Sequence, residues 1–126
     1  MDTQSFIAQR ALIALALEAG AEDYTGLYEI IWELNNKFPS VAEAEKIRMA
    51  RQAIEHCLSQ GLVELYQTCW PPVEYIPAPE DAARAALALD ATWRMEQGGP
   101  KAFLAYCTTQ RGEQELARLH QVKGAA

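Results

Sequence analysis

Two histidines and three cysteines are the residues from which a metal site or a nucleophile would have to be built, and their spacing argues against both. His56 stands next to Cys57. Neighbours on a helix point about 100° apart, so the two cannot aim at one ion. Cys57, Cys69 and Cys107 form no C-x-x-C pair, and an odd number leaves at least one thiol unpaired. Reduced thiols, two of them packed as small apolar residues, are expected. Nucleophilic catalysis needs a nucleophile, a base and a group that orients the base. Ser5, Ser40 and Ser59 lack a G-x-S-x-G setting, and Cys107 with His120 has no third member. Gly98-Gly99 lacks the remainder of a phosphate loop. Glu80-Asp81 and Glu113/Glu115 read as acids in first helical turns. The expectation is a chain that is not an enzyme and needs no metal or cofactor.

The charged and aromatic residues are more informative. The chain carries 17 acidic and 11 basic residues, a net charge of −6. No lysine or arginine falls between Arg10 and Lys37, where Glu18, Glu22, Asp23, Glu29 and Glu33 lie with Tyr24, Tyr28 and Trp32. The same holds between Arg51 and Arg84, which enclose Glu55, Glu64, Glu74, Glu80 and Asp81 with Tyr66, Trp70 and Tyr75. Acids around aromatic anchors suit a surface that receives a basic protein. The plainer reading makes the aromatics core and the acids a solvated face. Helical spacing favours it for Tyr28 and Trp32; for Trp70, in a Cys-Trp-Pro-Pro turn, both readings stand.

These residues need elements to hold them. Half of the 126 residues are hydrophobic, rich in alanine and leucine and poor in β-branched types, which favours helix. A first helix is expected from Thr3 to Ala19, stopped by Gly20. A second opens near Asp23–Thr25 and ends before Pro39. Leu27, Ile30, Ile31 and Leu34 form its inner stripe, with Tyr24, Tyr28 and Trp32 beside it. A third is capped by Ser40, with Glu43 at the capping-box position and Gly61 as its stop. Leu62–Gln67 alternates as a strand, Cys69–Val73 breaks it, and Glu74–Ile76 returns as a short strand. A fourth helix starts at Pro79-Glu80-Asp81 and extends toward Met95, with Asp90 a candidate break. Ala102–Cys107 reads as a strand, Thr108 or Thr109 as a cap, and Gln110–Gln121 as a closing helix. No linker divides the chain, so one domain over 1–126 is expected. The apolar run Ala11–Leu17 is too short for a signal peptide or a membrane span, and a cytoplasmic location follows.

Three helices, a strand, a break, a strand and a helix, in that order, resemble a winged helix-turn-helix. Ile54–Glu64 resembles the end of its third helix and the glycine turn into the wing. Phe103–Leu116 resembles the strand, threonine cap and glycine-containing turn that close the wing in MarR-like and PadR-like domains. The resemblance covers residues 6–68 and 101–120. It implies a mainly α fold: a winged-helix-like three-helix core, a small β-ribbon, an inserted helix at about 79–96 and a C-terminal helix. Wings are usually short hairpins, whereas about thirty residues separate these two strands.

A reading helix of that family would place Arg, Lys, Asn or Gln at its N-terminal part. Here that part is Val41-Ala-Glu-Ala-Glu-Lys. Arg48, Arg51 and Gln52 come later and are the candidate DNA contacts; the alternative is a charge-laced solvated face. Two functions are therefore expected, in order. The first is an immunity or antitoxin-type protein that binds a basic partner, such as a toxin domain, through Glu22, Asp23, Tyr24, Tyr28, Glu29, Glu33, Tyr66, Trp70, Glu74 and Tyr75. The alternative is a winged-helix transcription regulator, with nucleic acid as partner and a homodimer as its assembly. A structural subunit of a larger complex is a third reading, separable from the first by its neighbouring genes.

Overall fold

The computed structural model describes residues 9–69, 74–94 and 102–125, and within them the chain is mainly helical with a small antiparallel sheet. Helix α1 (Gln9–Glu22) buries Leu12, Ala16 and Leu17, and it does not end at Gly20 as expected. Gly20 is a packing residue: a Cβ there would lie 2.6 Å from the Tyr106 ring and 2.7 Å from Thr108 Oγ1. Its bare backbone lets α1 lie against the last strand. Tyr106 and Thr108 then donate their hydroxyls to the Ala16 and Leu17 carbonyls, at 2.7 and 2.8 Å.

A two-residue strand, β1 (Thr25–Gly26), separates α1 from α2 (Leu27–Lys37). Tyr24 therefore precedes the helix rather than sharing a helical stripe with Tyr28 and Trp32. Helix α2 buries the expected Leu27, Ile30, Ile31 and Leu34. Helix α3 (Glu43–Ser59) starts later than Ser40. The Val41 N–H donates to the Phe38 carbonyl at 3.1 Å, so Ser40 sits inside a turn. Ala42 becomes the N-cap with no side-chain cap, and the expected Ser40–Glu43 capping box is absent. Gly61 ends α3 with φ +72, as its position predicts.

Strand β2 (Val63–Cys69) pairs in unbroken antiparallel register with β4 (Ala102–Thr108), from Val63↔Thr108 to Cys69↔Ala102. β3 (Ile76–Pro77) pairs with β2, and β1 with β4, so the sheet order is β1-β4-β2-β3. Between β3 and β4, helix α4 (Glu80–Leu87) is shorter than expected and is followed by a 3-10 helix, Asp90–Trp93. Thr92 Oγ1 and Trp93 Nε1 donate to the Ala86 and Leu87 carbonyls, at 2.6 and 3.0 Å. They satisfy helix-end acceptors that a longer helix would have used. Met95 lies outside the described residues. Thr109 caps α5 (Gln110–Ala125), its hydroxyl accepting from the Gly112 N–H at 3.0 Å.

The core lies between the helices and one face of the sheet. Leu12, Leu17, Leu27, Leu34, Ile54, Cys57 and Trp93 are buried there with Val63, Leu65 and Tyr106. Strand alternation places Glu64, Tyr66 and Thr68 of β2 on the opposite face, paired across to Cys107, Ala105 and Phe103. Among the described residues no helix is long and apolar enough to cross a membrane.

Candidate functional site

The two acidic–aromatic windows meet at Tyr24, which lies more than forty residues from Tyr66 and Tyr75 in the chain. The Tyr24 ring stacks on Tyr75, with centroids 4.0 Å apart and planes 10° from parallel. It also meets Tyr66 in a T-shaped contact at 5.1 Å and 88°. Local bonds set this position. Thr25 Oγ1 donates to the Ala19 carbonyl at 2.9 Å, pinning the start of β1 to the end of α1. The Tyr24 N–H donates to Asp23 Oδ1 at 2.7 Å. Glu29 reaches back to accept the Gly26 N–H at 2.7 Å, the reciprocal half of a capping box on α2.

A second aromatic group adjoins the first. Tyr28, on the first turn of α2, meets Trp32 edge-on at 4.8 Å and Phe103 of β4 at 5.5 Å. A side chain at Gly26 would collide with the Tyr28 ring, so that glycine lets Tyr28 fold over the sheet. The outer face of the sheet is thereby covered by aromatic side chains. Tyr28 is buried as expected, but Trp32 is 56 % exposed and is no core residue. It falls on the side of α2 away from Leu27, Ile31 and Leu34, a distinction its i+4 spacing from Tyr28 does not reveal. Tyr24 and Ile76 are exposed as well.

Beside this layer, a cleft of about 320 Å³ opens between the end of α1 and the start of α2. Leu15, Ala19 and Ile30 give it apolar walls, Tyr24 and Thr25 close one side, and Glu22, Asp23, Glu29 and Glu33 supply carboxylates. The field of those acids reaches the phenols. Burial, then Asp23, Tyr24 and Glu29, raises the Tyr75 hydroxyl above its ordinary pKa. Burial, then Glu29 and Tyr75, does the same at Tyr28. The Tyr66 hydroxyl is held protonated mainly by donating to Glu64 Oε2 at 2.7 Å, with burial adding to the effect.

No protein-family model and no curated protein matches the chain.

The remaining acids of the windows lie elsewhere. Glu18 lies 3.0 Å from His120 Nε2, Glu55 pairs with Arg51 at 3.7 Å and Glu80 with Arg84 at 3.4 Å. Glu74 is exposed next to Tyr75, and Trp70 lies outside the described residues. Phe103 and Ile76 belong to the surface but were not among the expected contacts. The only sign of Phe103 is its alternation with buried Leu104 along β4.

Helix α3 carries the alternative site. Arg48 Nε donates to Glu45 at 2.6 Å, and its terminal nitrogen touches the same carboxylate. Arg51 pairs with Glu55, and Gln52 is exposed. Glu43, in the first turn, pairs with Arg94 at 2.8 Å. Lys46 is buried and donates to Asn35 Oδ1 at 2.9 Å, so it ties α3 to α2. Cys57 and Cys107 are free thiols, the first buried and the second 3.7 Å from the Tyr66 hydroxyl. Cys107 and His120 thus each engage a different residue. Among the described residues no cluster of three or more His, Cys, Asp or Glu could hold a metal ion.

Proposed function

We propose that this chain is a non-enzymatic protein-binding domain of the immunity or antitoxin type, which acts in the cytoplasm and neutralises a basic partner such as a toxin domain that degrades nucleic acid. The observation that carries this reading is the convergence of both basic-free windows on Tyr24. A protein that binds phosphate must present cations, and a carboxylate-rimmed aromatic surface can occupy them in place of nucleic acid. Exposed aromatics flanked by charge are also the anchors that dominate binding energy at protein interfaces.

The test is capture from a native lysate at low ionic strength, comparing the natural chain with a Glu22→Gln, Asp23→Asn, Glu33→Gln variant. The expected result is a basic protein, encoded by a neighbouring gene, that the natural chain retains, the variant loses and added salt releases. Retention of no basic partner by the natural chain, or of one that added salt does not release, would count against the reading.

A winged-helix DNA-binding regulator is the second reading, and one observation favours it. The short strand between α1 and α2 pairs with the last strand, which pairs with the strand after α3. Three helices followed by an antiparallel ribbon, with a short strand and a helix inserted between its two long strands, support the winged-helix resemblance. The pairing of Arg48, Arg51 and Glu43 with opposite charges on the protein weighs the other way. A mobility-shift assay on the upstream DNA at low ionic strength, where phosphate contacts are strongest, separates the two.

A further inference from the structure

We infer that the cleft between α1 and α2 receives a single arginine side chain of the partner, with the aromatic layer beside it taking the apolar residues that flank that arginine. The inference rests on the protein-binding reading above and names the group recognised. Three features carry it. The cleft combines apolar walls (Leu15, Ala19 and Ile30) with carboxylates of Glu22, Asp23, Glu29 and Glu33. An arginine side chain has the matching division, an apolar stem and a planar cationic head that donates paired hydrogen bonds to carboxylates. Tyr24 lines the cleft and is partly exposed, which places an aromatic side chain beside that head.

The third feature lies outside the acids. Thr68, on the outer face of the sheet opposite Phe103, is 7 % exposed, and its hydroxyl has no hydrogen-bond partner. Buried hydroxyls are nearly always paired, so the outer face of the sheet holds one unmet polar group beside the aromatic layer. Tyr24 borders both regions, since it lines the cleft and stacks against Tyr75 and Tyr66. A segment crossing Tyr24 therefore meets the carboxylates on one side and the rings on the other.

The test titrates the full chain with an acetylated, amidated peptide holding one arginine between two apolar residues, and with its lysine and citrulline forms. Amide shifts and Trp32 fluorescence are the readouts. The expected result is perturbation centred on Ala19, Tyr24 and Ile30, with arginine bound best and citrulline, which keeps the shape without the charge, about tenfold weaker or worse. Glu22→Gln with Glu33→Gln, both at exposed positions, should erase that preference while the rest of the amide spectrum stays unchanged. Equal binding of arginine and citrulline, or shifts spread away from the cleft, would overturn the inference. A salt-sensitive basic partner still captured by the Glu22→Gln, Glu33→Gln chain would overturn the cleft assignment and leave the protein-binding reading standing. Arginine preference in the titration with no partner captured would do the reverse.

Discussion

Tyr24 and Tyr75 lie ring on ring, 4.0 Å apart, although one follows the first helix and the other leads into the third strand. Removing the stacked ring by Tyr24→Ala should lower stability by about 0.5–1.5 kcal/mol beyond the area lost, the range for aromatic pairs. The urea midpoint measures it, and a matching loss for Tyr75→Ala that is not additive in the double variant would establish the pair.

Gly20→Val tests the contact of α1 with β4. Its Cβ would press on the Tyr106 ring and Thr108 Oγ1. Helix propensity alone would favour valine over glycine by about 0.3 kcal/mol. Overpacking costs about 1–3 kcal/mol, so crowding wins and the variant unfolds at lower urea. A variant as stable as the natural chain would mean that α1 can shift.

Alkali should destabilise the fold in a defined window. Burial, then the charge of Glu115, pushes the Cys57 thiol from 9.0 to about 12. Between those values the folded chain keeps a proton that the unfolded chain has released, so stability falls as pH rises. Below pH 9 this contribution is fully present and constant. Tyr106, raised chiefly by burial, acts in the same direction. Urea midpoints flat below pH 9 and declining above it are expected, and native Cys57 should resist alkylation until denaturant is added.

Thr68→Val replaces an unpaired buried hydroxyl with a methyl group of similar shape. Stability should rise by about 1 kcal/mol in the free chain, because an unsatisfied desolvated group is removed. Thermal or urea unfolding shows the sign directly; a loss would mean that the hydroxyl is bonded in solution.

Arg48→Ala and Arg51→Ala should each change stability by no more than about 0.5 kcal/mol, since both pairs are exposed and local. Neither should alter capture of a basic partner. Loss of a DNA complex in these variants, together with its presence in the natural chain, would instead support the regulator.

Much of the framework was legible because it is periodic. The stripe Leu27, Ile30, Ile31, Leu34 and the alternation over β2 follow from local order. β1 did not, because two residues have no period and become a strand only by pairing with Ala105 and Tyr106, some eighty positions away. That pairing moved Tyr24 out of α2 and so rearranged the aromatics. Ser40 misled for a similar reason: the Phe38–Val41 turn encloses it and defers the helix to Glu43. The acids were found as a group but not sorted. Which ones line the cleft depends on how the end of α1 meets the start of α2 in space.

Both outermost strands of the sheet are only two residues long, and one of them ends in Pro77, which has no N–H to donate. Such borders are poor templates for an incoming strand, whether from a partner or from a misfolded neighbour. Recognition through main-chain ladders is thus disfavoured, and under the proposed binding function a partner would be selected by side-chain shape and charge. The same brevity limits the strand border that the sheet offers for fibrillar pairing.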